Sequence, residues 1–276
     1  MSLRFRVLGS GSSGNATLIE AGGTRVLLDA GLGPRELAER LQSAGVDPAS
    51  VDIVLLSHEH GDHARGAASF SRRWGVPLCG SRGTYAAAGL GAAEIAGYEV
   101  LAPGSTRDVG ALSVTALPVP HDAAEPVAFL LSSGGSSLGH ATDLGHLGPA
   151  VVDGFRSCKA ILVESNYDPG MLRDGPYPWA LKERILSPLG HLSNQDVARF
   201  LEKDLGESCE TVVLAHLSQK NNHPEVARMA AEAALGRRGG TDVRLEMTGR
   251  DGTGWIEVSR SSAPRATTAR QMSLFE

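Results

Sequence analysis

The sequence predicts an α/β fold of two mixed β-sheets covered by helices. Short β-branched or apolar runs alternate with helical patterns, and Gly and Pro separate them at intervals of roughly ten to twenty residues. Strands come first, helices follow, and both then return, as expected when helical layers cover two sheets. Hydrophobic residues are 42% and charged residues 21% of the 276, which suits a globular protein with a full-sized core.

The individual elements follow from periodicity and from turn residues. Strands are predicted at 3–8, 16–20, 24–28, 52–56, 112–118, 127–131, 136–141, 160–163, 211–215, 242–246 and 254–257. The second and third form a hairpin that turns at Gly22 and Gly23. Helices are predicted from Pro34 to Gly45 and at 64–74, 81–88, 193–205 and 223–235. In the first helix, Leu37 and Leu41 lie on one face.

The composition changes near the end of the chain. From about 259 the sequence "SRSSAPRATTAR" offers almost nothing to bury, which predicts a flexible linker. We therefore expect residues 1–258 to form the folded domain and 259–276 to form a flexible tail. The last two predicted strands straddle the turn sequence "TGRDGTG".

Composition also limits the cellular setting. The net charge of −5 gives no general attraction to nucleic acid, although bound metal ions add local positive charge that this sum omits. No apolar run of about 18 residues is present, and the first residues lack a signal region. The three cysteines fit no metal-binding or redox spacing, so we expect a cytoplasmic protein with reduced thiols and no membrane contact.

The stretch "VDIVLLSHEHGDHARGA" predicts a metal site. An apolar strand leads into His58, His60, Asp62 and His63, with a glycine that lets the chain bend back. Histidines two apart on an extended segment point the same way, and imidazole and carboxylate are donors for zinc, manganese or iron. The alternative is a polar loop with scattered histidines.

Four further predicted strands each lead to one residue suited to metal binding or proton transfer. These residues are His121, Asp143, Glu164 and His216. Sites in α/β folds form at the carboxyl ends of strands, where distant loops converge. Any one of these could be an ordinary strand end or a core histidine, but four of them beside a histidine cluster favour a common site.

The sequence "SHEHGDH" resembles the H-x-H-x-D-H signature of the metallo-β-lactamase superfamily. The resemblance extends to about residue 258 and implies an αββα sandwich with a two-metal site between the sheets. It implies that His58, His60 and His121 hold one ion, that Asp62, His63 and His216 hold the other, and that Asp143 bridges them. The ligands contain no cysteine and admit Zn, Mn or Fe.

Four other stretches, "GSGSSGN", "LVESNYD", "GHLSN" and "HLSQKNN", resemble the YycJ/WalJ-type branch, whose members are described as nucleases acting on DNA. Two of the stretches also resemble ribonuclease Z, in which a glutamate and a histidine assist proton transfer. The counterparts here are Glu164 and His191. The chain lacks the arginine-tyrosine pair of that tRNA enzyme after "HLS" and has no room for the inserted domain of β-CASP nucleases.

These resemblances suggest three catalytic residues. Asp62 would orient the attacking water, His191 would donate a proton to the leaving oxygen, and Glu164 would hold the imidazole. Ser193 and Asp196 form a capping pattern that fixes the loop of His191. The alternatives are a helix-entry histidine and an ordinary strand-end carboxylate.

Weaker candidates surround this site. Ser10, Ser12, Ser13 and Asn15 could form a backbone nest for a phosphate, although a Gly/Ser loop is more often only a turn. We also expect substrate contacts from Asn194 and Asn222, of which Asn222 could instead cap a helix. Finally, Asp29 could support a ligand histidine, and His140 could do the same or simply pack in the core.

The last residues predict a protein partner. Gln271, Met272, Ser273, Leu274 and Phe275 resemble the Q-L-S/D-L-F consensus by which bacterial DNA-acting proteins bind the polymerase sliding clamp. A Leu-Phe pair of this kind fills a hydrophobic pocket in short-peptide recognition. The alternative is a tail that folds onto its own domain.

The function best supported by the sequence is a two-metal-dependent phosphodiester hydrolase, a DNA exonuclease acting in replication-linked repair. The alternative enzyme is a small-molecule hydrolase of the same superfamily, namely a cyclic phosphodiesterase or a thioester or lactone hydrolase. A non-catalytic module recruited to replication is a third hypothesis, but such a module needs no set of seven metal ligands. The sequence leaves the oligomeric state open.

Overall fold

Two seven-stranded sheets pack face to face, with helices on their outer faces. The computed structural model describes residues 2–91, 93–239 and 242–259. The two packed sheets and their flanking helices confirm the predicted αββα sandwich.

The first sheet combines the amino-terminal strands with the last strand of the described chain. Its strands are β1 (Leu3–Gly9), β2 (Ala16–Ala21), β3 (Thr24–Leu28), β4 (Ile53–Leu55), β5 (Leu78–Gly80), β6 (Tyr98–Val100) and β14 (Ile256–Val258). They are ordered β14-β1-β2-β3-β4-β5-β6, antiparallel as far as β3 and parallel from β3 to β6.

The second sheet has the same plan. Its strands are β7 (Thr106–Val109), β8 (Leu112–Pro118), β9 (Val127–Ser133), β10 (Ser136–Ala141), β11 (Ala160–Glu164), β12 (Thr211–Ala215) and β13 (Arg244–Met247). They follow in numerical order across the sheet, antiparallel from β7 to β10 and parallel from β10 to β13. The carboxyl ends of the parallel strands in each sheet thus share an edge.

Helices cover the outer faces of both sheets. They are α1 (Pro34–Ser43), α2 (Gly61–Ala64), α3 (Ala67–Trp74), α4 (Arg82–Ala87), α5 (Pro149–Phe155), α6 (Pro169–Asp174), α7 (Trp179–Leu186), α8 (Asn194–Lys203) and α9 (Pro224–Arg238). One apolar cluster fills the space between the sheets. Others lie under α1 and α3 on the first sheet and under α5, α8 and α9 on the second.

The structure departs from the predicted elements in a few places. The helix predicted at 64–74 is two helices, α2 and α3, separated by Arg65 and Gly66. The last two predicted strands lie in different sheets, because β13 pairs with β12 whereas β14 pairs with β1. Three strands and three helices were not predicted, namely β5, β6, β7, α5, α6 and α7.

Two further predictions concern the tail and the membrane. Residues 260–276, which include the predicted clamp-binding peptide 271–275, lie outside the described residues. Within the described ranges, no helix combines the length and apolar character needed to cross a membrane.

Candidate metal centre

The histidine cluster begins where β4 ends. His58 follows this buried strand, and His60 precedes α2, which Gly61 opens. The short helix turns the chain back, so that Asp62 and His63 face the same site as the two preceding histidines. This is the bend that the glycine in "SHEHGDH" predicted.

Three strand-end residues adopt a left-handed backbone conformation that residues other than glycine seldom adopt. Asp29 after β3, Asp143 after β10 and His216 after β12 have φ values of 60°, 61° and 50°. They are the only non-glycine residues with positive φ among those the structure describes. Such strained positions cost about 1–3 kcal/mol each and concentrate at functional sites.

The first donor group consists of His58, His60 and His121, the three histidines expected to hold one ion. Their ring centroids lie 4.6, 5.0 and 5.1 Å apart, and their donor nitrogens lie within 4.8 Å of one another. The Nδ1–H of His121 donates to the carbonyl oxygen of Gly190 at 3.1 Å, which leaves Nε2 for a ligand.

The second donor group forms around the carboxylate of Asp143. Its Oδ2 lies 2.7 Å from His216 Nδ1 and 2.9 Å from His63 Nε2. Asp62 Oδ2 lies 3.7 Å from Nε2 of both histidines. Asp143 also groups with His58 and His63, so it lies between the two sets of donors, where a bridging ligand is expected.

The donor atoms fit divalent cations. The Nε2 atom of His58 is buried and has no hydrogen-bond partner among the described residues, and an unpaired buried polar atom is costly without a ligand. On the other side of the cluster, His63 Nδ1 donates to Asp29 Oδ2 at 2.7 Å, and Ser57 Oγ donates to the same oxygen at 2.9 Å. This support orients His63, as predicted for Asp29.

The electrostatics of the site reflect burial and the proximity of charges. Burial and the neighbouring His63 lower the pKa of His58 well below its usual value. Burial opposes the charge of His63, yet Asp143 and Asp29 raise the pKa of His63 well above its usual value. Burial likewise disfavours the Asp143 carboxylate, but His216 and His63 hold the pKa of Asp143 well below its usual range. A bound cation takes neutral imidazoles and carboxylates, so binding releases protons.

Glu164 and His191 form a pair beside the metal donors. His191 Nδ1 lies 3.0 Å from Glu164 Oε2, while Oε1 accepts the backbone N–H groups of Leu144 and Leu192, each at 3.0 Å. Burial works against the charged ring, but Glu164 and Asp143 raise the pKa of His191 to about 9. The pair lies close enough to Asp143 for the three residues to form a further donor group.

The serine and asparagine residues near the start of the chain have different surroundings. Ser12 lines the cavity over the metal donors, while Ser13 is exposed and uses its carbonyl oxygen to bind Arg65. Ser10 Oγ accepts the backbone N–H of His216 at 2.8 Å. The Nδ2 of Asn15 lies 2.9 Å from His63 Nε2. Ser10 and Asn15 thus brace metal donors.

Asn194 and Asn222 do not line this cavity. Both are buried, and Asn194 Nδ2 donates to Asn222 Oδ1 at 2.9 Å while Asn194 Oδ1 accepts from Ser165 Oγ at 2.6 Å. Because their amides are used within this network, we assign them to positioning the loops after β11 and before α8. His140 is also buried, contacts Thr17 Oγ1 at 3.2 Å, and has its pKa lowered to about 4 by burial.

A cavity of about 270 Å³ opens over the metal donors. Its lining adds several residues that the sequence analysis did not name: Asp122, Asn166, Tyr177, Leu181, Arg184, Ile185, Gly190 and Ser218. Asp122 follows His121 directly, and its position beside a predicted ligand was the available signal. The α7 residues carried no such signal, because their helix was not predicted.

Comparisons with known proteins agree with this geometry. A profile described as the metallo-beta-lactamase superfamily matches residues 9–216. The chain is 33% identical over 245 residues to exodeoxyribonuclease WalJ of Streptococcus pneumoniae serotype 2 (strain D39), covering 86% of this chain and 91% of the relative. It is 32% identical over 241 residues to exodeoxyribonuclease YycJ of Bacillus anthracis, covering 87% and 91%.

Solved structures share the fold at low sequence identity. The metallo-beta-lactamase fold protein YhfI from Bacillus subtilis superposes with a TM-score of 0.72 at 15% identity, covering 93% of this chain and all of that one. Zn²⁺-bound PqqB from Methylobacterium extorquens gives 0.67 at 17% identity, covering 92% and 99%. At this identity, the likeness concerns the fold alone.

Proposed function

The chain belongs to the metallo-β-lactamase superfamily, and from this premise we propose that it is a two-metal-dependent exonuclease acting on DNA. The observation that carries the proposal is the two donor groups around Asp143, with the Glu164–His191 pair beside them in one cavity. The choice of DNA rests on the two relatives named exodeoxyribonucleases, which align over most of their length.

In this proposal His58, His60 and His121 hold one ion, Asp62, His63 and His216 hold the other, and Asp143 contributes to both. When bound, such ions stabilise negative charge on phosphoryl oxygens and lower the pKa of a water molecule toward neutrality. The metal could be Zn or Mn, and Fe suits the same donors.

The remaining steps fall to side chains of the cavity. Asp62 lines the cavity and can orient the attacking water through its carboxylate. His191 donates its Nδ1–H to Glu164, so Nε2 is the nitrogen that protonates the leaving oxygen. The Glu164 carboxylate, which accepts from Nδ1, favours the charged ring that carries this proton.

The test is hydrolysis of end-labelled single- and double-stranded DNA, with RNA and a cyclic dinucleotide as competing substrates, in a series of Mn²⁺, Zn²⁺ and Fe²⁺. We expect mononucleotides to be released from DNA ends. Faster turnover of RNA or of the small phosphodiester, with intact DNA, would contradict the proposal.

We also propose that the enzyme acts in the cytoplasm in replication-linked repair and binds the polymerase sliding clamp through residues 271–275. The proposal rests on the match of these residues to the clamp-binding consensus. Full-length protein should bind purified clamp, whereas a variant lacking residues 271–276 should not. The paired change Leu274→Ala and Phe275→Ala should have the same effect, because these are the apolar anchors. Equal affinity of all three proteins would contradict clamp binding.

A further inference from the structure

The cavity over the metal donors has two unlike faces. One consists of the histidines and carboxylates described above. The other contains Tyr177, Leu181 and Ile185, which come from the segment between β11 and α8. A purely electrostatic phosphate site does not need such an apolar face. This face therefore indicates which part of the substrate lies beside the phosphate.

Two residues of the apolar face, Leu181 and Ile185, lie in helix α7, and Tyr177 precedes this helix. Leu181, Arg184 and Ile185 are spaced three and four residues apart, so they share a side of the helix, and all three line the cavity. Trp179 and Glu183 lie on another side, where the indole Nε1 donates to Glu183 at 2.7 Å. Trp179 is 63% exposed and does not line the cavity.

Tyr177 is held in place before any ligand arrives. Pro176 and Pro178 flank it, which fixes the backbone on both sides and confines Tyr177 to extended conformations. The buried Lys182 donates from Nζ to the carbonyl oxygens of Arg173 at 2.7 Å and Gly175 at 2.8 Å. These bonds tie the end of α6 to α7 on either side of the tyrosine.

The apolar face of the cavity is part of a small apolar cluster. Tyr167, Leu172 and Ile185 are buried together, and Tyr177 and Leu181 pack against them. A ring fixed in this way loses little conformational entropy when it contacts a ligand.

Arg184 lies on the same side of α7 as Leu181 and Ile185, and it pairs with a carboxylate beside the metal donors. Its Nε donates to Asp122 Oδ2, and Asp122 Oδ1 lies 3.3 Å from His121 Nε2. Arg184 is the only lysine or arginine among the described residues that line the cavity. A phosphate next to the scissile one would therefore meet this guanidinium.

We propose that Tyr177, Leu181 and Ile185 form a subsite for the base of the terminal nucleotide, with the Tyr177 ring stacked on the base and Arg184 near the adjoining phosphate. This inference rests on the proposed nuclease function. The cavity of about 270 Å³ is near the lower limit of small-molecule sites, which start at about 300 Å³, and this suits one nucleotide rather than a duplex. Stacking tolerates any base, as degradation of arbitrary sequence requires. The enzyme should accordingly prefer single-stranded ends.

The experiment compares oligonucleotides that carry either a normal or an abasic terminal nucleotide at the end that the enzyme attacks. Wild-type protein should show about a tenfold lower kcat/KM on the abasic strand, since one base–aromatic stack is lost. Tyr177→Leu should lose about tenfold on the normal strand and nothing further on the abasic one. Tyr177→Phe keeps the ring and should match the wild type.

Two controls distinguish the loss of base stacking from a loss of folding or of the metal centre. Trp179→Leu removes an aromatic ring two residues further along the chain, outside the cavity, and should keep wild-type kinetics on both strands. Bound metal per chain reports the metal centre alone and should be equal in every variant.

Equal penalties for Tyr177→Leu on the normal and abasic strands would overturn the subsite, because they would indicate a structural role. A wild-type enzyme that degrades both strands at the same rate would also overturn it and leave the nuclease function intact. Absence of any DNA hydrolysis by the wild type would instead overturn the proposed function, and the subsite with it.

Discussion

The two ends of the sandwich differ in the residues that adopt a left-handed backbone next to the strands. At the end remote from the metal donors, the β2–β3 and β9–β10 turns place glycines at positive φ, Gly22–Gly23 and Gly134–Gly135. At the site end, Gly11 and Gly14 also have positive φ, but so do three non-glycine residues directly after strands, Asp29, Asp143 and His216. Glycine adopts this conformation without strain, so the non-glycine residues at these three strand ends indicate that their side chains are required there.

Burial of charge differs between the two regions as well. The cluster between the sheets consists of apolar residues. The site end buries ionisable groups that include His58, His63, Asp143 and Glu164. Buried charges are unfavourable unless they are paired or bind a metal, so this end relies on its mutual contacts and on the cations it would hold.

The largest effect is expected from removing one metal donor. His60→Ala should reduce DNA hydrolysis by more than about a thousandfold, because several kcal/mol of charge stabilisation are lost. The fold should persist, since the His60 side chain is 29% exposed and carries little of the core. Activity and bound metal per chain are measured together, with the exposed His146→Ala as the matched control. Full activity of His60→Ala would contradict the assigned donor set.

A smaller effect is expected from removing either residue of the pair that is proposed to deliver the proton. Glu164→Gln and His191→Ala should each lower kcat by about a hundredfold with little change in KM. Because the two residues act as a pair joined at 3.0 Å, the double variant should be no worse than either single one. Single-turnover kinetics of the three variants provide the measurement. Effects that multiply in the double variant would show that the residues act independently.

The next smaller effect is expected from changing Asp29, which accepts a hydrogen bond from the ligand histidine His63. Asp29→Asn keeps a residue type that tolerates positive φ, but it removes the carboxylate oxygen that accepts from His63 Nδ1. Metal affinity should fall by about 10- to 100-fold, as for other losses of groups that orient ligand histidines. Competition with a chelator measures this change. An unchanged affinity would remove Asp29 from the metal centre.

The smallest effect is expected at the remote end. Gly23 has φ 88° and open space around an added Cβ, so Gly23→Ala should cost about 1 kcal/mol of unfolding free energy from backbone strain alone. Chemical denaturation provides the value. DNA hydrolysis should remain at the wild-type rate, and a loss of activity without a loss of stability would erase the contrast between the two ends.

Much of the fold was predictable because hydrophobic alternation defines long strands such as β1 and β8. That the candidate metal donors lie together was predictable for a different reason, since each of them follows a predicted strand. His121, Asp143 and His216 come from separate loops, yet each is reached from a strand whose carboxyl end lies at the same edge.

Other features depend on tertiary contacts that no local pattern contains. Strands β5 and β6 have three residues each, too few for a periodic signal. Strand β14 joins the first sheet because it pairs with β1, which lies at the opposite end of the sequence. Asn194 and Asn222 were expected to contact substrate, but their amides bond to each other and to Ser165.

The most direct measurement is a titration of the chelator-treated, full-length protein with Mn²⁺ while nucleotide release from end-labelled single-stranded DNA is followed. The account predicts no release without metal and a rate that rises until about two ions are bound per chain. Full activity without metal, or intact DNA at every metal concentration, would contradict it.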